Sequence, residues 1–134
     1  MNPQVKEKWL TALRSGKYKQ TRKILRGNEG FCCLGVLCDI YSKETDNPWE
    51  TRVWTDCNYG YEYVNVDESE ASKCDFLYFY GEEEYLPQTV VEWAELKNNN
   101  PDVVDSDDTT ISISRLNDNG VSFQEIADII EKHL

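Results

Sequence analysis

Phe31-Cys32-Cys33-Leu34-Gly35-Val36-Leu37-Cys38-Asp39-Ile40-Tyr41 is the run around which the rest of the chain must arrange itself. It is apolar on almost every side, and a helix without a polar face must be surrounded by other elements, so it predicts the centre of the domain. Gly35 inside it costs roughly 1 kcal/mol of helix propensity relative to alanine. That cost makes sense where another element brings its backbone close to this position.

Upstream, Gly27-Asn28-Glu29-Gly30 breaks the chain. Before the break, Lys17 to Arg26 reads as an extended or hairpin segment rather than an amphipathic helix. The first helix starts earlier, with Asn2 as N-cap and Pro3 at the first helical position. Val5, Trp9, Leu10, Ala12 and Leu13 form one face, and Ser15-Gly16 ends it.

Downstream, the composition turns aromatic: Val53-Trp54-Thr55, then Tyr59, Tyr61 and Tyr63 at period two, then Phe76-Leu77-Tyr78-Phe79-Tyr80. These runs predict a small antiparallel sheet of two to four strands, with the tyrosines as cross-strand pairs or, on the sharper reading, a ligand-stacking platform. Val66 to Lys73 is a polar connection. A third helix is expected from Leu86-Pro87, with Val90, Trp93 and Ala94 buried, ending at Asn98-Asn99-Asn100-Pro101. For the fourth, Gly120 is the stop before it, Ser122 and Glu125 form a capping box, and Val121 with Ile126 can staple across it.

The expected architecture is therefore α+β: a central apolar helix, three amphipathic helices and a small antiparallel aromatic-rich sheet sharing one core. One domain spans 1–134, with a basic helix and hairpin over about 1–30, the apolar helix over about 31–44, the aromatic sheet region over about 45–85 and C-terminal helices over about 86–134.

Charge is unevenly placed. The first twenty-six residues hold eight of the fourteen bases and only one acid, Glu7, whereas the remainder holds six bases and twenty-four acids; the total is −11. Such a surface repels phosphate backbones and anionic membranes and favours encounter with basic proteins. Duplex DNA and membranes are disfavoured as partners. The opening residues lack the apolar core of a signal peptide, and no apolar run is long enough to span a bilayer, so a cytoplasmic location with reduced thiols is expected.

Catalytic and metal chemistries find little support. Cys32, Cys33 and Cys38 are five or six residues apart at the extremes, about 140° or 240° around a helix, so one face cannot present all three to zinc. Cys32 and Cys33 would sit near a helix N-terminus, where the dipole lowers a thiol's pKa, but the single histidine, His133, offers no placed base. The acidic run Asp102 to Asp108 lacks the glycine and terminal glutamate of a calcium loop and reads as a solvated loop. Ser114 to Leu134 resembles half of a helix-turn-helix without a reader helix. No catalytic residue, metal or cofactor is assigned.

The basic segment gives the candidate ligand site: Lys17, Tyr18, Lys19, Gln20, Arg22 and Lys23. In a hairpin, Lys17, Lys19 and one of Arg22 or Lys23 share a face, with Tyr18 or Gln20 available for stacking and hydrogen bonds to a phosphate-bearing ligand. The plainer alternative pairs these cations with acids of the same chain or of a second copy, as a homo-oligomer.

Lys8-Trp9-Leu10-Thr11-Ala12-Leu13-Arg14-Ser15-Gly16-Lys17-Tyr18-Lys19-Gln20, Gly30-Phe31-Cys32-Cys33-Leu34-Gly35-Val36-Leu37-Cys38-Asp39, Leu86-Pro87 with Val91 and Trp93, and Leu116 to Glu131 together resemble a group of small proteins encoded by bacteriophages and prophages. The resemblance spans most of the chain outside its middle. It implies a phage setting and action in the host cytoplasm, and it carries no catalytic residue. The segment Gln20 to Arg26 departs from the group in having less glycine.

The functional expectation is a non-enzymatic accessory protein that binds and modulates a host component, with a defence component in view. Its partner is a nucleotide-like small molecule at the basic and aromatic face, or a basic host protein met by the acidic surface. An enzyme using Cys32 or Cys33 is the third class.

Overall fold

Asn2 caps the first helix, α1 (Pro3–Arg14), as its sequence predicts: its side-chain oxygen accepts from the Gln4 and Val5 backbone N–H groups at 2.9 and 3.1 Å. The structure, a computed structural model, describes residues 1–57 and 59–134. After α1 the chain forms an irregular strap from Lys17 to Leu25, then a hairpin of β1 (Arg26–Gly27) and β2 (Gly30–Phe31). The hairpin expected over Lys17 to Arg26 is thus displaced, because the glycine break is itself the turn. The strap pairs beside β2 at one parallel bridge, Gln20 to Phe31, with the Phe31 N–H donating to the Lys19 carbonyl at 2.8 Å. A Cβ on Gly30 would lie 2.1 Å from that carbonyl oxygen, so this approach requires glycine.

The apolar helix, α2 (Cys33–Thr45), starts two residues later than its sequence suggests, since Cys32 is its N-cap and accepts from the Gly35 N–H through sulfur. Cys33 to Asp39 is buried without a break, as a central helix demands. The close approach inferred at Gly35 is made by the strap, whose Leu25 carbonyl sits where a side chain would go.

The aromatic region forms a hairpin of β3 (Glu50–Thr55) and β4 (Gly60–Asn65), paired one to one from Glu50 with Asn65 to Thr55 with Gly60. A single turn of helix, α3 (Glu68–Ala71), follows. Phe76 to Tyr80 does not become a third strand: only Tyr78 bridges to Glu50, while the Leu77 N–H donates to the Arg26 carbonyl at 3.0 Å. Leu77 and Phe79 are fully buried, and seating them pulls this segment toward β1 and away from the hairpin.

Helix α4 (Gln88–Ala94) begins just after Pro87, which is its N-cap. The acidic stretch expected to be a solvated loop instead contains β5 (Asp102–Val104), paired with β6 (Thr110–Ser112). Asp105 closes their turn by accepting from the Asp107 and Thr109 N–H groups at 2.9 Å. Two helices complete the chain, α5 (Ile113–Asp118) and α6 (Phe123–His133), the latter capped by Ser122, which accepts from the Glu125 N–H at 3.2 Å.

The class is α+β, with six helices and three two-stranded antiparallel sheets among the described residues rather than four helices and one sheet. The core lies between α1, α2, α5 and α6, closed by Leu25, Trp49, Leu77 and Phe79. The β3–β4 hairpin stands largely outside it.

Candidate functional site

The strap divides its predicted site residues in two. Tyr18 and Gln20 turn inward. The Tyr18 hydroxyl donates to Asp39 Oδ2 at 2.6 Å and its ring meets the Phe31 ring edge-on at 5.0 Å. Burial, then the bond to Asp39, holds the phenol well above its ordinary pKa. Gln20 Nε2 donates to Asn117 Oδ1 at 2.9 Å and to the Val121 carbonyl at 2.8 Å. Asn117, fully buried, also accepts from the Cys33 N–H and donates to the Thr21 carbonyl, tying the strap, α2 and α5 together.

Lys17, Lys19, Arg22 and Lys23 remain exposed. Among the described residues, the ion pairs involve other cations, and none of these four side chains lies within 4.0 Å of a carboxylate. The Arg22 guanidinium lies over Gly120, and Lys23 takes a left-handed backbone with its N–H on Asp118 Oδ1. Lys17 and Tyr18 border a shallow hollow of about 350 Å³ against α1. The cations therefore lack the stacking and hydrogen-bonding partners that a hairpin would have aligned with them.

Beneath the strap lies a polar cluster that sequence reasoning missed. Asp39, 1% exposed, accepts from Tyr18 and from Trp49 Nε1 at 3.1 Å and pairs with Lys43 at 2.9 Å. Arg26, 5% exposed, approaches Asp39 at 4.0 Å, makes two hydrogen bonds to Glu68 at 3.1 and 2.9 Å, and packs over the Phe31 ring at 4.6 Å. The available signal was a lone carboxylate in an otherwise apolar helix, since a buried charge demands partners. Among the described residues no buried side-chain nitrogen or oxygen lacks a partner. The cluster is satisfied, and it acts as a clasp joining α2, β1 and α3.

The thiols behave as small apolar groups. Burial pushes the Cys32 thiol up to about 12 and Cys33 and Cys38 well above their ordinary range. Desolvation outweighs the helix N-terminus expected to lower Cys32 and Cys33, so neither forms a ready thiolate. Cys57 is exposed and Cys74 partly so.

Exposed aromatic rings cluster on the β3–β4 hairpin, with Phe76, Tyr80 and Tyr85 exposed beyond it. Glu50, Arg52 and Trp54 share a face with Asn65, Tyr63 and Tyr61, their cross-strand partners. Trp54 is 51% exposed, Tyr61 56% and Tyr63 48%. Trp54 meets Tyr61 and Tyr63 meets Tyr78 edge-on, both at 5.2 Å, while the Arg52 guanidinium lies 4.3 Å from the centre of the Tyr61 ring. From Glu50 to Tyr85 the chain holds ten acids and two bases, a balance of −8. Aromatic rings and arginine stand here in an acidic surround.

The family model described as a domain of unknown function (DUF8296) matches residues 1–134. The chain belongs to this family. Comparison with curated proteins gives no match, and comparison with solved structures gives none.

In this DUF8296 chain one aromatic pair, Trp54 with Tyr61, lies directly across the β3–β4 ladder, and Tyr63 meets Tyr78, which stands outside any strand; Tyr59 lies outside the ladder, in a left-handed turn conformation, 85% exposed. Alternation along a strand identifies which residues share a face, but not whether that face is covered. Among the described residues, no three His, Cys, Asp or Glu side chains group as a metal site, and no helix is long and apolar enough to cross a membrane.

Proposed function

We propose that this is a non-enzymatic accessory protein that docks on a basic surface of a partner protein through the Arg52, Trp54, Tyr61 and Tyr63 face of the β3–β4 hairpin. The observation that carries this reading is the bare aromatic face in a segment with a balance of −8. Tryptophan, tyrosine and arginine dominate the energetics of protein interfaces, and contiguous exposed rings mark such sites. The acidic surround steers toward a cationic partner. The burial of Cys32 and Cys33, which holds their thiols protonated, speaks against the cysteine-dependent enzyme. In the phage or prophage setting implied by the resemblance, the partner is a host protein in the cytoplasm, with defence components the first class to examine.

The four cations without carboxylate partners favour a second reading, a phosphate-bearing, nucleotide-like ligand on the strap. Tyr18 and Gln20 contribute little to it, because both are engaged inward.

Capture from infected host cells separates the two. The wild type, a Trp54→Ala/Tyr61→Ala variant and a Lys19→Glu/Arg22→Glu variant are used as baits, with mass analysis of proteins and small molecules. Docking through the hairpin requires a host protein held by the wild type and the strap variant but lost from the hairpin variant. Retention by the hairpin variant, or a small molecule lost only from the strap variant, contradicts it.

A further inference from the structure

The β3–β4 hairpin has an unfinished side. Glu50 exchanges both of its backbone hydrogen bonds with Tyr78, at 2.8 Å each, so its N–H and C=O point away from β4. Backbone direction alternates along a strand, so Arg52 and Trp54 also point away from β4. Among the described residues no strand meets them there, because the chain that would continue from Tyr78 is drawn off to Arg26 through Leu77. A hollow of about 270 Å³ opens along this edge, bordered by Arg52, Tyr61, Cys74, Asp75, Phe76 and Tyr78.

Natural edges are usually blunted by proline, a bulge, lysine or a covering element. The edge Thr51-Arg52-Val53-Trp54-Thr55 has neither proline nor lysine, and its register with β4 is continuous. Its one cation, Arg52, is held over the Tyr61 and Tyr78 rings. Tyr78 already supplies the first rung of a third strand.

We infer that the outer edge of β3 at Arg52 and Trp54 takes an extended, lysine- or arginine-bearing segment of the partner protein as a third strand. The inference rests on the docking reading above and specifies how the partner is held. Main-chain bonds fix the incoming segment, and alternate side chains fall on the Trp54 and Tyr61 face, the mode by which sheet edges bind extended peptides. Charge selects the occupant. The ten acids and two bases between Glu50 and Tyr85 favour a cationic segment, and a second copy of the chain, itself at −11, meets repulsion.

The test uses the full chain, labelled with ¹⁵N, and a peptide alternating lysine with valine as probe, with a glutamate-for-lysine peptide as control. Amide hydrogen exchange is followed residue by residue. The lysine peptide is expected to slow exchange at Arg52 and Trp54 by about tenfold or more, with the control inert. Ring shifts at Trp54 and Tyr61 without slowing at those two amides overturn the third strand while leaving face docking intact. Slowing that depends on protein concentration without peptide assigns the edge to a second copy and overturns it. No response at millimolar peptide also overturns it, whereas loss of the captured host protein bears only on the docking reading.

Discussion

The carbonyl oxygen of Leu25 lies 1.7 Å from the point that a Cβ on Gly35 would occupy. Helix α2 and the strap therefore touch backbone to backbone, and only glycine permits it. Alanine would gain roughly 1 kcal/mol of helix propensity but must displace a buried main chain. Gly35→Ala is expected to destabilise the fold by about 3 kcal/mol or more, or to prevent folding, as measured by urea denaturation.

Asp39 makes a second prediction. Its removal strands Trp49 Nε1 and the Tyr18 hydroxyl and leaves the buried Arg26 with Glu68 alone. Asp39→Ala should cost about 3 kcal/mol, and Tyr18→Phe, which removes a single donor, about 1 kcal/mol. Equal effects of the two in denaturation would show that Asp39 does not organise the clasp.

The N-cap of α6 is a smaller contribution. Ser122 accepts from the Glu125 N–H, and Ser122→Ala should cost about 1 kcal/mol, read as a shift in urea midpoint without a change in slope.

The buried thiols give the chain an alkaline limit. Cys32 is raised from 9.0 to about 12 in the folded protein, so folding favours the protonated thiol. That contribution is fully present below about pH 9 and is lost as pH rises toward 12, because the unfolded thiol ionises first. Stability should fall across this window, with Cys33 and Cys38 acting in the same direction. At about pH 8, alkylation of the native chain should modify Cys57 and spare these three. Rapid native labelling of Cys32 would contradict the burial.

Much of this fold was legible in its sequence where local signals agreed. Asn2-Pro3 and Ser122-x-x-Glu125 placed two helix starts, and Gly35 announced a close neighbour without identifying Leu25. Long-range pairing was not legible. The aromatic alternation from Phe76 to Tyr80 cannot reveal that Leu77 pairs with Arg26, since the competition between the hairpin and β1 is decided by burial of Leu77 and Phe79. The acids of 102–108 concealed a turn because Asp105 caps backbone N–H groups as readily as it faces water. The strap's sequence displays cations, an aromatic and an amide side by side. Their division into outward cations and inward Tyr18 and Gln20 depended on Asp39 and Asn117, which are distant in sequence.

The affinity of the captured host protein distinguishes the hairpin from the strap as the surface that holds the partner. Trp54→Ala should weaken Kd by about thirtyfold, the equivalent of about 2 kcal/mol at an interface anchor. Binding should also weaken as salt rises, and Lys19→Glu/Arg22→Glu should leave it within about twofold. A Kd unmoved by Trp54→Ala and abolished by Lys19→Glu/Arg22→Glu would contradict the hairpin and assign the function to the strap.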